Sequence, residues 1–152
     1  MSHLPVGIEK ISAYPCSAAL DFRELAKARG EDPDHPTKLL MMDRRGVNPA
    51  FEDVITMGVN AAKPMLTEED LSKIELLVVG TESSVDQAKP ISTFIHRFLG
   101  IQPNCRVFET KHACYSGTCA VMTAAHWVAS GVRPGAKPLV VTTGQWRMNL
   151  GE

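Results

Sequence analysis

Apolar and polar positions follow two different periods along the chain, which predicts helices that alternate with strands. The most apolar run is IELLVVGT (74–81), and its continuity is typical of a strand buried in a parallel sheet. Further strands are predicted at CRVFET (105–110), at PLVVTT (138–143) and, first in the chain, at LPVGIEKISAY (4–14). This order indicates an α/β layered fold with a mixed, mostly parallel sheet and flanking helices.

Caps, stop signals and apolar spacing predict the helices. One short helix begins after Asp21 and ends before Gly30, and another begins at Thr67, which forms a capping box with Asp70. Longer helical patterns cover the ranges 51–63, 90–99 and 114–130. The stretch 31–48 is rich in Pro, Asp and basic residues, so irregular surface chain is predicted there.

The composition is that of an ordinary globular protein and excludes several classes. The 152 residues fit a single domain over 1–152, and an apolar content of 44% is sufficient for a core. A net charge of −1 provides no basic field for nucleic acid. No apolar run approaches the roughly 18 residues that a membrane helix needs. Without a signal-peptide pattern or disulfide spacing, we expect a cytoplasmic protein with reduced thiols and no membrane partner.

Cys114 stands after a predicted strand and at the start of a predicted long helix, within FETKHACYSGTCAV (108–121). A thiol at a helix N-terminus faces unpaired N–H groups and the positive end of the helix dipole, and both stabilise a thiolate. The small neighbours Ala113, Ser116 and Gly117 leave room for a substrate. The alternative is a small cysteine that fills space in the core. Position alone leaves both interpretations open.

Glu82 is the second candidate, because it directly follows the apolar strand 74–81. Functional residues of parallel sheets gather at the carboxyl ends of the strands, where Cys114 is also expected. The alternative is an exposed loop carboxylate or a helix cap beside Ser83 and Ser84.

The histidines and the remaining cysteines indicate no further chemistry. His96 and His126 lie within predicted helices, and His112 is expected to point away from Cys114, so a Cys–His hydrolase lacks its base. The cysteines and His126 have no CxxC or HxxxH spacing, so no metal site is expected.

Several motifs resemble the active-site half of the 3-hydroxy-3-methylglutaryl-CoA synthases. These motifs match the family in their order and spacing. They are NAAKP (60–64), TESSVD (81–86), LGIQPNCRVFE (99–109) and KHACYSGT (111–118). The residues of HACYSGT and NAAKP are most similar to those of the polyketide branch of the family, which builds β-branches on chains bound to carrier proteins. The resemblance implies a thiolase-like fold, of which 1–152 would be the N-terminal half. It also implies that Cys114 accepts the acyl group and that Glu82 is the general acid and base.

The resemblance further implies an acyltransferase that condenses a Cys-bound acetyl group with a β-ketoacyl thioester. Its substrates would be thioesters of coenzyme A or of carrier-protein phosphopantetheine, and no cofactor would be tightly bound. Arg29 stands where contact with a pantetheine phosphate is expected, since a guanidinium suits that group. An exposed arginine at a helix end, without a role, is the alternative.

The sequence also departs from the family pattern. Gly144 stands where family members usually carry an aspartate, Cys119 stands where small or aliphatic residues are usual, and Arg147 matches a common arginine. Family members are more than twice as long, and their remaining part carries a histidine and an asparagine of the site. We therefore expect one subunit of a split enzyme. Its partners would be a separately encoded C-terminal half and an acyl carrier protein, in a hetero-oligomer built on a dimer.

Two other functions stay open at this point. The chain could be a noncatalytic subunit that keeps the thiolase-like surface to hold a partner. Gly144 and the short length favour this alternative, whereas the presence of both Glu82 and Cys114 disfavours it. A decarboxylating ketoacyl synthase would pair its cysteine with histidines, so Glu82 disfavours that alternative.

Overall fold

The computed structural model describes residues 5–145, whose contacts divide the chain into two compact units. One unit is Pro15–Asp53, and the other contains the described residues on either side of it. The single domain over 1–152 stays a prediction. Among the helices that the structure describes, none has the length and apolar character needed to cross a membrane.

The unit of residues 15–53 consists of a two-stranded antiparallel sheet and two helices. In chain order, its elements are β1 (Ala18–Asp21), α1 (Phe22–Arg29), α2 (Asp34–Leu40) and β2 (Arg44–Val47). The Asp21 carboxylate accepts hydrogen bonds from the N–H groups of Arg23 and Glu24, and Gly30 ends α1 with a φ of 69°. The predicted cap and stop of α1 are therefore confirmed.

The prediction of irregular chain over 31–48 is wrong, because α2 and β2 both lie in this stretch. The Asp34 carboxylate in the first turn of α2 pairs with Arg23 of α1 and with Lys38. The strand β2 forms because β1 supplies its hydrogen-bond partners. Since α1 and β1 lie outside the stretch, its own composition did not reveal either element.

The larger unit is built on a parallel sheet of three strands in the order β4-β3-β5. The strands are β3 (Ile74–Gly80), β4 (Arg106–Thr110) and β5 (Lys137–Thr142), and the helices and one 3₁₀ turn are α3 (Val54–Ala62), Lys63–Met65, α4 (Glu68–Lys73), α5 (Ile91–Leu99) and α6 (Tyr115–Ala129). The central strand β3 pairs with both neighbours and is almost fully buried. The predicted α/β layering with parallel strands is confirmed.

Helices cover both faces of this sheet. On one face, Leu76 and Val78 pack with Ala120 of α6, and Trp127 packs against the same cluster. Leu77 and Val79 alternate to the other face and are completely buried. Burial on both faces explains why the sequence of β3 is continuously apolar.

The predicted strand over 4–14 is wrong, since residues 5–14 have no regular secondary structure. The alternation is present, but Ile8 and Ile11 are exposed, and in the described structure no strand pairs with this segment. Lys10 instead donates to the carboxylate of Asp70 at 2.6 Å. The capping box that joins Thr67 to Asp70 at the start of α4 is confirmed.

Candidate active site

The carboxyl ends of the three parallel strands meet in register at one edge of the sheet. Gly80, the last residue of β3, pairs with Thr110 of β4 and with Thr142 of β5. The N–H of Thr81 then donates to the carbonyl of Thr110 at 3.1 Å, and the N–H of Thr143 donates to the carbonyl of Gly80 at 3.1 Å. The loops that follow these strands therefore leave the sheet side by side.

Two glycines bring α6 directly onto the end of this sheet. A Cβ atom at Gly80 would lie 2.8 Å from backbone atoms of Gly117 and Ser116, which is closer than real contacts allow. A Cβ atom at Gly117 would lie 2.7 Å from Cγ2 of Thr142. The first turn of α6 therefore rests on the backbone of β3, and this contact places Cys114 over the strand ends.

Cys114 lies in a tight turn between β4 and α6. Ala113 has a φ of 39°, a left-handed conformation that is unusual for a residue with a side chain. The carbonyl of His112 accepts hydrogen bonds from the N–H groups of Tyr115 at 2.9 Å and Ser116 at 3.2 Å. The sequence predicted that the N–H groups near the thiol would be unpaired. This prediction is wrong for Tyr115 and Ser116, whose N–H groups donate to His112. The Cys114 thiol is free and its residue is exposed.

Glu82 lies in the loop of residues 81–90, which joins β3 to α5. The preceding residue, Thr81, is buried, and its hydroxyl accepts a hydrogen bond from the N–H of Ser83 at 3.1 Å. Glu82 itself is exposed. Within residues 5–145 its carboxylate has no hydrogen-bond or ion-pair partner.

Glu82 and Cys114 line the same pocket, which has a volume of about 630 Å³. The structure thus brings together the two residues that the sequence predicted as catalytic. The other lining residues come from the same strand ends and from the first turns of α6: Gly80, Thr81, Ala113, Ser116, Gly117, Thr118, Val121, Thr142, Thr143 and Gly144.

The other residues singled out in the sequence are not all part of this pocket. Gly144 lines it, and no atom of residues 5–145 lies within 4 Å of where its Cβ would be. Cys119 lies one turn into α6 and does not line the pocket. Arg29 is exposed in the last turn of α1, in the unit of residues 15–53, and its phosphate contact stays a prediction. Arg147 lies outside the described residues.

The three other thiols are less accessible than Cys114. Cys16, Cys105 and Cys119 are half-buried, whereas Cys114 is exposed. Burial, together with the nearby Glu75 carboxylate, raises the pKa of the Cys105 thiol to about 11. Burial and the charge of Glu52 also raise the pKa of Cys16. Neither of these two thiols is set up to act as a nucleophile near neutral pH.

The histidines of the described chain stay away from the pocket lining. Nε2 of His96 lies 3.1 Å from the carbonyl of Gln102, and the ring of His112 packs edge-on against Tyr115. His126 is exposed on α6. Among residues 5–145, no cluster of three or more His, Cys, Asp or Glu side chains could hold a metal ion.

Sequence reasoning missed several residues that shape the site. The contact between Gly80 and Gly117 joins residues far apart in the chain, and the only local signal was a glycine at the end of a strand. The hydroxyl of Thr110 donates to the carbonyl of Ser116 at 2.9 Å and ties β4 to the first turn of α6. The carboxylate of Glu109 accepts from the N–H of Ile91 at 2.8 Å and caps α5.

Cys114 precedes α6 and Glu82 follows β3, the strand that pairs with β4, which is the arrangement that the resemblance implied. The model of the family described as "Hydroxymethylglutaryl-coenzyme A synthase N terminal" matches residues 3–148. The chain belongs to this family. The thiolase-like fold predicted from the resemblance is thereby confirmed, since solved structures of hydroxymethylglutaryl-CoA synthases superpose on the chain.

The most similar relatives include enzymes of polyketide biosynthesis. The chain is 43% identical over 149 residues to the polyketide biosynthesis 3-hydroxy-3-methylglutaryl-ACP synthase PksG of Bacillus subtilis, covering 96% of this chain and 35% of PksG. It is 41% identical to the hydroxymethylglutaryl-CoA synthase of Enterococcus faecalis, covering 91% of this chain and 36% of that enzyme. The chain thus spans about a third of the length of these relatives.

Solved structures agree with the sequence comparison. The structure of PksG aligns with a TM-score of 0.87 at 42% identity, over 93% of this chain and 36% of PksG. The HMG synthase of the curacin biosynthetic pathway, solved in complex with acetyl donor-ACP, aligns with a TM-score of 0.85 at 41% identity, over 91% of this chain and 34% of that chain. The similarity therefore extends over nearly all of the chain and about a third of each relative.

Proposed function

We propose that this chain provides the nucleophile and the general base of an HMG-synthase-type active site that adds β-branches to polyketide intermediates. The observation that carries the proposal is that Cys114 and Glu82 line the same pocket at the strand ends. The thiol can accept the acyl group and the carboxylate can transfer protons, and this condensation requires both of these roles.

The first step is acetyl transfer to Cys114. Its thiolate attacks the carbonyl carbon of an acetyl thioester, a new carbon–sulfur bond forms, and the donor leaves as a thiol. The exposed position of Cys114 at the pocket supports access for a long pantetheine arm. The backbone N–H of Cys114 is the proposed donor to the oxygen that becomes negatively charged.

The second step is carbon–carbon bond formation with Glu82 as the base. The carboxylate takes a proton from the acetyl methyl group, and the resulting enolate carbon attacks the ketone of a β-ketoacyl thioester. The protonated Glu82 then returns its proton to the new alkoxide. Water finally hydrolyses the bond to Cys114 and releases the product as a carboxylic acid.

The acetyl donor and the acceptor are proposed to be carried by acyl carrier proteins. Support comes from the names of the relatives, since PksG is a 3-hydroxy-3-methylglutaryl-ACP synthase and the curacin enzyme was solved with acetyl donor-ACP. Coenzyme A thioesters are the alternative donors. Arg29 is proposed to bind the pantetheine phosphate, because a guanidinium forms bidentate hydrogen bonds with phosphate.

We further propose that additional polypeptide completes the site, encoded separately as a C-terminal half. Glu82 is exposed here, whereas a carboxylate base works best in a pocket that excludes water. On α6, Thr118 and Val121 line the same pocket as Cys114 and are exposed. A C-terminal half that supplies a histidine and an asparagine and covers these groups would form a hetero-oligomer on a dimer. We call this chain together with that polypeptide the completed enzyme.

Acetylation tests the nucleophile directly. The completed enzyme is incubated with an acetyl thioester, and intact-mass analysis is expected to show one added acetyl group. Cys114→Ala should abolish the gain, whereas Cys119→Ala, which removes a half-buried thiol from the same helix, should keep it. If Cys114→Ala gains the same mass, the nucleophile is assigned wrongly.

A further inference from the structure

Ser83 joins two of the loops that form the pocket. Its hydroxyl donates to the carbonyl of Gln145 at 2.7 Å and accepts from the N–H of the same residue at 3.0 Å. Gln145 lies 62 positions further along the chain, in the loop that follows β5. Two hydrogen bonds to one backbone unit restrict both the distance and the orientation between the loops.

The position of Glu82 depends on this connection. Glu82 lies between Thr81, which is buried and bound to the end of β4, and Ser83. Within the described part of the chain the Glu82 carboxylate has no hydrogen-bond or ion-pair partner of its own. The backbone is thus held on both sides of Glu82, by the bond of Thr81 to β4 and by the two hydrogen bonds of Ser83.

We propose that Ser83 is a positioning residue that holds the Glu82 carboxylate at the methyl group of an acetyl bound to Cys114. The inference rests on the proposed function, since it concerns the base of the same reaction. A base must come within about 2.6–3.2 Å of the atom whose proton it removes. A displacement of about 1 Å costs roughly 100-fold in rate. Ser83→Ala removes both hydrogen bonds between the two loops, so we expect the Glu82 carboxylate to leave this geometry.

Ser84 offers a matched control in the same loop. Its hydroxyl donates to the carbonyl of Asp86 at 3.1 Å, so its contact stays within residues 81–90. Ser84→Ala removes the same chemical group as Ser83→Ala but leaves the two loops connected. Ser83→Thr retains the hydroxyl and tests rescue.

The test separates proton removal from acetylation. The completed enzyme is acetylated with a donor whose methyl group carries deuterium, and loss of deuterium to water is followed by mass spectrometry. Each event breaks one C–D bond: the deuteron passes to Glu82 and the electron pair to the enolate. The carboxyl group then exchanges its deuteron for a proton of water, and the reverse step returns that proton to the carbon. We expect Ser83→Ala to acetylate within about twofold of the wild type and to lose deuterium about tenfold or more slowly. Ser83→Thr and Ser84→Ala should lose deuterium at nearly the wild-type rate.

The outcome separates this inference from the proposed function. If the wild type is not acetylated or loses no deuterium, the proposed function fails. Hydrogen exchange of the chain then tests the Ser83 connection, because Ser83→Ala must increase exchange at the N–H of Gln145 and Ser84→Ala must not. Loss of deuterium at the wild-type rate in Ser83→Ala, failure of Ser83→Thr to restore it, or unchanged exchange at Gln145 overturns the inference.

Discussion

At the scale of single residues, Glu82 and Cys114 divide the proposed reaction into separable steps. Glu82→Gln keeps the shape of the side chain but removes the base. Acetylation of Cys114 should continue, and condensation should fall by about 10²–10⁴-fold, the usual contribution of a general base. Intact mass reports the first step, and the rate of product formation reports the second.

An exposed carboxylate elsewhere serves as the control for this variant. Glu68→Gln in the first turn of α4 changes the charge by the same amount away from the pocket and should condense normally. Condensation at the wild-type rate in Glu82→Gln would mean that Glu82 is only a loop carboxylate.

The four thiols should differ in their reaction with an alkylating reagent. Cys114 is exposed, whereas burial raises the pKa of Cys105 to about 11 and also raises that of Cys16. We expect Cys114 to be labelled first near neutral pH, since the thiolate is the reactive form and the reagent must reach it. Labelling of Cys105 should increase as the pH rises towards 11. Peptide mass mapping after a short pulse measures the order, and faster labelling of Cys105 at neutral pH would contradict it.

At the scale of elements, the position of α6 depends on a contact without side chains. Gly80→Ala would place a methyl group 2.8 Å from the backbone of Ser116 and Gly117, which no rotamer change can relieve. We expect a loss of about 1–3 kcal/mol in the free energy of unfolding, as for other overpacked sites. Acetylation of Cys114 should slow as well, because the first turn of α6 must move. Denaturant unfolding and intact mass measure the two effects.

Gly144→Ala is the matched control for stability, since no described residue lies within 4 Å of the added methyl group. It should unfold within about 0.5 kcal/mol of the wild type. Equal stability of Gly80→Ala and Gly144→Ala would show that α6 does not rest on β3 as described.

The buried carboxylate of Asp70 ties the start of α4 to two lysines. Hydrogen bonds from Lys10, Thr67 and Lys137 hold the pKa of Asp70 well below its usual value of 3.8. A lowered pKa stabilises the folded state above pH 3.8, and this contribution is lost as the pH falls further. Asp70→Asn should therefore be less stable than the wild type at pH 7, and the difference should shrink on acidification below about pH 4.

Urea unfolding at several pH values tests the contribution of Asp70. Glu68→Gln, an exposed position of the same helix, should follow the wild type throughout. A difference between Asp70→Asn and the wild type that stays constant down to pH 2 would contradict the assignment.

On the alkaline side, hydrogen bonds to Glu9 and Asp70 raise the pKa of Lys137 to about 12. The contribution of Lys137 to the free energy of unfolding should persist up to about pH 10.5 and decrease as the pH rises towards 12.

Elements with local signals could be predicted from the sequence. The cap at Asp21, the stop at Gly30 and the capping box of Thr67 all rest on residues within one helical turn. The apolar run of β3 and the placement of Cys114 and Glu82 after neighbouring strands also followed from the sequence, because parallel strands end at one edge.

Features that depend on distant partners could not be predicted. Residues 5–14 alternate like a strand, yet Lys10 pairs with Asp70 and no described strand pairs with the segment. The strand β2 exists because β1 pairs with it. Ser83 forms hydrogen bonds with a residue 62 positions away, and no local sequence pattern indicates such a contact.

At the scale of the whole molecule, the described chain leaves its pocket open. Cys114 and Glu82 are both exposed, and Val121, which also lines the pocket, and Met122, the next residue of α6, are 45% and 46% exposed. Exposed apolar side chains near the proposed nucleophile are the kind of surface that a further polypeptide can cover. The relatives are about three times as long as this chain, and their additional length is the proposed source of the covering polypeptide.

Product formation with and without that polypeptide tests most directly whether this chain carries one part of a shared active site. The completed enzyme is prepared by co-expression with the adjacent reading frame and isolated by size-exclusion chromatography. It and the chain alone are each incubated with an acetyl-carrier protein and a β-ketoacyl thioester. We expect a stable complex that forms the branched product, heavier than the acceptor by one acetic acid, and no product from the chain alone or from a complex with Cys114→Ala. A stable monomer of this chain that forms the product alone would contradict the shared site. Product from the Cys114→Ala complex would contradict the role of the cysteine.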